Sequence, residues 1–253
     1  MKKTMKNSKI QINSHFQNFK KSIENIQNIF DKNHNSIHKA RNELKIIEIN
    51  NIKCVVKSFK VPHFINRVAY TFFREGKAKK SFINAIKLQE LGVSTPEPIG
   101  IIEFFSFGLL SESYFISRYE PYDFTIREVF HHKVDNVEQI LKEFAKFTYE
   151  IHQKGVWHVD YSLGNILISK QDDGSYKFSL VDINRMEFKE IPPKEGLKNF
   201  NKFWAKFDED LPILAKEYAR LADFDEKEAV AIVLSEAKKL EDMVNIKRKI
   251  KGK

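Results

Sequence analysis

A short polar motif in the second half of the chain lies between a helical pattern and two strand-like runs. His158, Asp160 and Asn165 form the pattern H-x-D-x-x-x-x-N just after an apolar helical pattern that stops at Gly155. The complete order of helix, motif and strands is much harder to produce by chance than any one of its residues. This order therefore constrains the fold more than any other feature of the sequence.

The strand-like runs after the motif, ILIS and YKFSLVD, flank the turn pair Asp173-Gly174. Asp-Gly between two such runs is a strong signal for a β-hairpin. Because a hairpin returns the chain on itself, we expect Asp182, at the end of the second run, to lie beside Asn165.

These residues suit the chemistry of phosphoryl transfer. In that reaction a carboxylate accepts the proton of the attacking hydroxyl, and a metal ion neutralises charge on the triphosphate. Asn165 and Asp182 offer the oxygen ligands that Mg²⁺ prefers. An isolated aspartate in a loop is more often a turn or cap residue, so the prediction depends on the combined order.

An upstream lysine on a strand should contact the nucleotide phosphates. The run Cys54-Val55-Val56-Lys57 has the V-A-I-K shape of such a strand. Because side chains alternate along a strand, Val55 and Lys57 share one face. The apolar Val55 could pack under the base of a nucleotide, and the cationic Lys57 could contact its phosphates. Lys57 could equally be an ordinary lysine of a strand edge.

Composition limits the class of protein. The 253 residues carry a formal net charge of +9, 42% hydrophobic residues and one cysteine. A single cysteine excludes an intramolecular disulfide and fits a reducing compartment. No apolar stretch reaches the roughly 18 residues of a membrane span, and the basic N-terminus lacks the apolar run of a signal peptide. We expect a soluble, basic, cytoplasmic protein.

Strand patterns dominate the first half of the chain. The runs LKIIEI and IKCVVKSF predict one hairpin around Asn50-Asn51, and IGIIEFF and SYFISRY predict another. Residues 14–30 predict a helix with one apolar face, with a capping box from Ser14 to Gln17. A second helix is predicted over 77–91 and ends at Gly92.

The second half is mainly helical. A helix capped by Asn136 precedes the motif, and residues 225–245 predict a longer one. The fold class is therefore α+β, with a β-rich lobe followed by a helical lobe. We divide the chain into an N-terminal helical extension (1–35), a nucleotide-binding N-lobe (36–120) and a catalytic C-lobe with a helical tail (121–253).

The segments GVWHVDYSLGNILI and FSLVDINRM resemble the lipopolysaccharide kinase (Kdo/WaaP) family, whose fold is similar to that of eukaryotic protein kinases. The resemblance covers residues 37–190. It implies a two-lobed protein-kinase-like fold with ATP and Mg²⁺ in its cleft. By motif it makes Asp160 the catalytic base, Asn165 and Asp182 the metal ligands, and His158 the residue that braces the loop. Lys57 would then bind the phosphates.

In such enzymes ATP phosphorylates a sugar hydroxyl of the lipopolysaccharide inner core, on the cytoplasmic side of the inner membrane. Asn165 fits the Kdo-kinase pattern better than the heptose-kinase pattern, where histidine often takes its place. The resemblance implies an anionic glycolipid partner, either lipopolysaccharide core or a lipid A precursor. The net charge and the basic tail Lys247-Arg248-Lys249 fit contact with the inner-membrane surface. No nucleic-acid partner is expected.

The sequence departs from protein kinases at several points. No G-x-G-x-x-G loop precedes Lys57, so the triphosphate would be covered differently, through asparagine or Arg41 contacts. The helix at 77–91 has no central glutamate to pair with Lys57, since Glu75 precedes it and Glu90 ends it. Two alternatives stay open: another small-molecule kinase, acting on an aminoglycoside, choline or a free sugar, and a pseudokinase that binds without turnover.

Four other features have simpler interpretations. His131-His132 has no third ligand at metal-site spacing. Cys54 fits a small buried hydrophobic residue. The aromatic residues of 197–207 fit the core of the helical lobe. The helix at 14–30 could dock on the nucleotide-binding lobe or touch a membrane, and docking is the favoured interpretation.

Overall fold

The computed structural model describes residues 7–34, 36–39, 42–60, 71, 75–203 and 209–250. The chain divides into two compact units, residues 1–120 and residues 121–253. The first is organised around an antiparallel sheet, and the second is mainly helical with short strands. None of the described helices is long and apolar enough to cross a membrane.

The described part of the first unit forms a six-stranded sheet in the order β1-β5-β6-β4-β3-β2. Its strands are β1 (Asn7–Ile12), β2 (Ser36–Lys39), β3 (Asn42–Ile49), β4 (Ile52–Lys60), β5 (Pro98–Ser106) and β6 (Leu109–Arg118). The two predicted hairpins are confirmed as β3–β4 and β5–β6. Strand β1 was not predicted, and it pairs with β5 at one edge of the sheet.

The β3–β4 turn sets the position of Lys57. Asn50 and Asn51 have φ values of 51° and 62°, as a two-residue turn matched to strand twist requires. In the resulting register Lys57 lies opposite Leu44 on β3. Its neighbour Val56 is fully buried, so Val55 and Lys57 share the other face of β4, as predicted.

The prediction of one continuous helix over 14–30 is wrong, because the segment is interrupted. The structure has a 3₁₀ segment (Ser14–Phe19), α1 (Lys20–Glu24) and α2 (Ile26–Lys32), joined through non-helical backbone at Asn25. The predicted capping box is also wrong, because the side chain of Asn13, rather than Ser14, accepts the N–H of His15 at 3.2 Å. An asparagine one residue earlier supplies the cap.

The apolar face predicted for this segment is confirmed as part of the core. Its buried residues pack in one cluster with the sheet; they are Phe16, Phe19, Ile23, Ile26 and Phe30. Docking on the β-rich unit, the favoured interpretation, is therefore confirmed. Residues 7–32 supply an edge strand and core side chains to this unit.

The helix predicted over 77–91 is α3 (Lys77–Glu90). The chain leaves it through Gly92, whose φ of 64° is a left-handed conformation that glycine adopts at little cost. Ala78, Ala85 and Leu88 are fully buried on its inner face. Much of the family-like stretch before α3, residues 61–70 and 72–74, lies outside the described residues, as does Arg41.

The second unit combines short strands with helices. Its elements are β7 (Phe124–Thr125), α4 (Ile126–Phe130), α5 (Val137–Gln153), β8 (Val156–His158), β9 (Ile166–Lys170), β10 (Tyr176–Leu180), β11 (Met186–Phe188), α6 (Pro193–Leu197), a 3₁₀ segment (Lys198–Lys202), α7 (Asp210–Leu221) and α8 (Glu226–Ile250). The helix before the motif, the hairpin after it and the long C-terminal helix are confirmed. The predicted cap of α5 is wrong: Asn136 is left-handed, with φ 59°, and makes no capping bond.

The core prediction for 197–207 is confirmed for Phe200 and Phe203, which are fully buried together with Leu197; Trp204 and Phe207 lie outside the described residues. Cys54 is buried, as predicted, and burial raises the pKa of its thiol to about 12. His132 contacts the buried carboxylate of Asp210, with Nε2 3.0 Å from Oδ1.

Candidate phosphotransfer site

The motif residues lie on the loop between β8 and β9. Strand β8 pairs with β11, so His158 lies opposite Met186. The hairpin β9–β10 brings Leu180 opposite Ile166. The N–H of Val181 donates to the carbonyl of Asn165 at 3.0 Å. The hairpin thus places Asp182, the next residue, beside the end of the loop.

His158 is fully buried and joins both sides of this loop. Its Nδ1 accepts the backbone N–H of Asp160 at 3.1 Å. Since Nδ1 is an acceptor, the ring proton lies on Nε2, which donates to the carbonyl of Val181 at 3.0 Å. Burial lowers the pKa of the imidazole, which keeps it neutral. His158, the residue expected to brace the loop, thus forms a hydrogen bond to each of the two segments.

Asp160 is half-buried, and its carboxylate contacts a lysine from a distant segment. Lys202 Nζ lies 2.6 Å from Oδ1 of Asp160 and 3.0 Å from the carbonyl of Val159. The sequence motif did not identify this lysine.

The side chain of Asn165 is oriented by the loop. Its Nδ2 donates to the carbonyl of Asp160 at 2.8 Å. Because the amide nitrogen is held in this way, the amide oxygen Oδ1 points to the other side of the group. An oxygen ligand in a fixed orientation suits a hard cation such as Mg²⁺.

Asp182 has a left-handed backbone, with φ 56°. Aspartate tolerates this region better than most residues, yet it remains uncommon and often occurs where function fixes the backbone. Its Oδ1 accepts a hydrogen bond of 2.6 Å from Nδ2 of Asn184. The two predicted metal ligands thus lie at adjoining ends of the β9–β10 hairpin, and both carry oxygen donors.

A series of buried side-chain hydrogen bonds, the buried polar chain, ends at the backbone of the loop. The Tyr218 hydroxyl donates to His152 Nδ1 at 2.8 Å, and His152 Nε2 donates to Asn199 Oδ1 at 3.1 Å. The amide nitrogen of Asn199 then donates to the carbonyl of His158 at 3.2 Å. Burial lowers the pKa of His152 to about 4, so its ring is neutral.

Asn199 and Lys202 were missed because residues 190–253 contain no recognisable motif. They lie three residues apart in the 3₁₀ segment 198–202. Side chains at this spacing eclipse one another in a 3₁₀-helix. The one sequence signal for a role at the site is that this polar pair alternates with the apolar residues Phe200 and Phe203. The pattern indicates two faces only when the segment is known to be a 3₁₀-helix.

The predicted nucleotide-binding residues, Lys57 and Val55, lie on β4 of the first unit. Lys57 Nζ lies 5.2 Å from the ring centroid of Phe59. Both glutamates considered as its partner contact lysines near α3: Glu75 pairs with Lys79 at 2.9 Å, and Glu90 with Lys87 at 3.9 Å.

The fold of the chain is similar to those of solved kinase-like structures. The chain is similar over 92% of its length to the structure of WaaP in complex with acyl carrier protein, with 99% of that chain covered, a TM-score of 0.61 and 16% identity. WbdD bound to a kinase inhibitor matches 79% of this chain and 44% of its own, with a TM-score of 0.48 and 16% identity. The PknI kinase domain of Mycobacterium tuberculosis matches with a TM-score of 0.43, 13% identity and coverages of 80% and 93%. The likeness to the WaaP structure confirms the predicted protein-kinase-like α+β fold.

The sequence comparison matches a known family over part of the chain. Residues 123–224 match the model of the lipopolysaccharide kinase (Kdo/WaaP) family, which confirms the resemblance noted above. No curated protein matches the chain by sequence. The matched range contains the whole loop with Asn199 and Lys202. Because this is a family of kinases, the predicted enzyme class, an ATP-dependent phosphotransferase, is confirmed.

Proposed function

We propose that this protein transfers the γ-phosphate of ATP to a sugar hydroxyl of the lipopolysaccharide inner core, with Kdo as the sugar. The observation that carries the proposal is the loop from His158 to Asn165. Its hydrogen bonds hold the backbone of Asp160, which carries a half-buried carboxylate, and orient the amide oxygen of Asn165. Such positioning is most of what phosphoryl transfer requires from a protein.

Asp160 is the base in this proposal. The acceptor oxygen attacks the γ-phosphorus, and the bond from phosphorus to the β–γ bridging oxygen breaks, leaving its electron pair on ADP. The hydroxyl proton passes to the carboxylate of Asp160. His158 stays neutral and holds the Asp160 backbone throughout.

Asn165 and Asp182 would hold Mg²⁺, because both present oxygen donors at one end of the hairpin. When bound, the ion would offset the negative charge of the phosphates. Lys57 would contact the nucleotide phosphates from β4, and Val55 would pack under the base. The Nδ2 bond from Asn165 to Asp160 also ties a metal ligand to the base, so a shift of one would displace the other.

The glycolipid acceptor places the protein at an anionic membrane face, and we propose peripheral contact through the end of α8. Ile246 and Ile250 are 56% and 79% exposed there, beside Lys247, Arg248 and Lys249 in the last turn. Apolar and basic side chains at one helix end suit the surface of an anionic bilayer. The inner face of the inner membrane is the corresponding location.

The acceptor is tested with γ-labelled ATP and Mg²⁺ against two lipid A precursors, one with Kdo and one without. Aminoglycosides, choline and free sugars serve as competing acceptors. Label only on the Kdo-bearing lipid supports the proposal. Label on a soluble acceptor would make the protein a small-molecule kinase, and Mg²⁺-dependent nucleotide binding without transfer to any acceptor would favour a pseudokinase.

The membrane contact is tested by co-sedimentation with phosphatidylglycerol vesicles. Replacing Lys247 and Arg248 by glutamate should weaken binding by more than about 2 kcal/mol, since each basic residue near such a surface contributes about 1 kcal/mol. The matched control replaces Lys238 and Lys239 on the same helix, which pair with acidic neighbours. Equal effects of the two changes would contradict a specific role for the helix end.

A further inference from the structure

The carboxylate of Asp160 is contacted by a lysine 42 residues further along the chain. Lys202 Nζ lies 2.6 Å from Oδ1 of Asp160. The same ammonium group donates to the carbonyl of Val159 at 3.0 Å. The loop sequence HVDYSLGN contains no lysine or arginine, so this positive charge comes from outside the loop.

The backbone that carries Lys202 is held on several sides. Asn199, three residues earlier, is 4% exposed and donates to the carbonyl of His158. Phe200 and Phe203 are fully buried on either side of Lys202. Helix α8 packs against the same 3₁₀ segment. The ammonium group is therefore presented to Asp160 by a structured element rather than by a loose surface chain.

We propose that Lys202 is a positioning residue for phosphoryl transfer, which holds Oδ1 of Asp160 so that Oδ2 faces the acceptor hydroxyl. This inference rests on the proposed function. A carboxylate turns about its last torsion, whose preference is broad. The contact with Oδ1 selects one orientation, and the bond to Val159 ties the ammonium to the loop that carries the base.

The contact stabilises the fold only slightly. Both side chains are about one-third exposed, at 30% for Lys202 and 35% for Asp160. Ion pairs in such positions add little to stability, because water screens them. A geometric error of about 1 Å at a reacting group, in contrast, costs about 100-fold in rate. Kinetics therefore separate the positioning role from a structural one.

The test compares Lys202→Met, Lys202→Arg and a matched control, Lys198→Met, in the full chain. Lys198 is an exposed lysine in the same 3₁₀ segment. Transfer from ATP to the glycolipid and slow hydrolysis of ATP by water are both measured. We expect Lys202→Met to lower kcat about 100-fold with KM for ATP unchanged, Lys202→Arg to recover most of the loss, and Lys198→Met to match wild type.

A double-mutant cycle tests whether Lys202 acts through Asp160. If it does, Lys202→Met added to Asp160→Asn should lower the residual rate no further, since the base is already absent. Additive losses would overturn the inference. A raised KM for ATP with unchanged kcat would also overturn it, because that pattern indicates nucleotide binding by Lys202.

The outcomes distinguish this inference from the proposed function. If wild type transfers phosphate and Lys202→Met equals it, the inference is overturned and the function stands. If wild type labels a soluble acceptor instead of the glycolipid, the acceptor assignment fails, while a loss of kcat in Lys202→Met supports the inference. A wild type without transfer or hydrolysis overturns both.

Discussion

Nδ1 of His158 accepts the backbone N–H of Asp160 at 3.1 Å, so the histidine of the motif holds the main chain of the aspartate two residues later. The other ring nitrogen donates to Val181, one residue before Asp182. A single neutral imidazole therefore connects the segments that carry the proposed base and one proposed metal ligand. Its role is geometric, and its ring must stay neutral to make both bonds.

Replacing His158 with phenylalanine should keep the packing of a ring and remove both hydrogen bonds. We expect a loss of about 2 kcal/mol in the free energy of unfolding, because buried polar groups of Asp160 and Val181 lose their partner. The rate of phosphate transfer should fall about 100-fold. Urea denaturation and steady-state kinetics measure the two effects.

The matched control for that change is His131→Phe, at an exposed histidine. It should alter the free energy of unfolding by no more than about 0.5 kcal/mol. A His158→Phe protein with the wild-type kcat would show that the bond to the Asp160 backbone does not matter for transfer.

Stability should fall as the pH drops below the ordinary range of histidine. Burial lowers the pKa of His152 from 6.5 to about 4. Between pH 6.5 and pH 4 the unfolded chain binds a proton at His152 that the folded protein does not. The contribution of the neutral His152 to the free energy of unfolding is therefore complete above pH 6.5 and is lost as the pH falls towards 4. The loss is about 3 kcal/mol. His158 acts in the same direction, since burial lowers its pKa too.

His152→Gln isolates this contribution. A glutamine amide can accept the Tyr218 hydroxyl bond and donate to Asn199 without titrating. Melting temperatures between pH 4 and 7 should depend less steeply on pH in this variant than in wild type. The control is His15→Gln, at an exposed site in the first unit, which should keep the wild-type dependence of melting temperature on pH. If His152→Gln kept that dependence too, His152 would not be the group responsible for it.

Gly196 leaves room for the buried polar chain. A Cβ atom there would overlap the Tyr218 hydroxyl and lie 2.8 Å from Nδ1 of His152. We expect Gly196→Ala to lower the free energy of unfolding by about 2 kcal/mol, as overpacking in a core does. Thermal and urea unfolding measure it.

Gly164→Ala is the comparison for that change. Its Cβ would lie 2.9 Å from a guanidinium nitrogen of Arg127, the end of an exposed, flexible side chain. Its cost in stability should stay below about 1 kcal/mol. Similar losses at the two glycines would show that the Tyr218–His152 contact is not what restricts position 196.

Local signals in the sequence predicted much of the fold. Asn50-Asn51 and Asp173-Gly174 marked hairpins because these residues accept the positive φ that tight turns need. Gly92 and Gly155 ended helices for the same reason, with φ values of 64° and 71°.

The errors arose where local signals compete or where contacts are distant. Periodicity did not reveal the break at Asn25, since the apolar face continues across it. The strand NSKIQI is mostly polar, so its place at the sheet edge was not visible. Lys202 reaches Asp160 across 42 residues, and no local pattern in a sequence encodes a contact over that separation.

The proposed role of Asp160 is tested most directly by single-turnover transfer of γ-phosphate by Asp160→Asn, with Asp172→Asn as an exposed control in the hairpin turn. We expect the rate for Asp160→Asn to fall about 1,000-fold, the usual scale for a general base. Melting temperature and nucleotide binding should be retained, and Asp172→Asn should match wild type. A rate for Asp160→Asn equal to that of the control would contradict the assignment of the base.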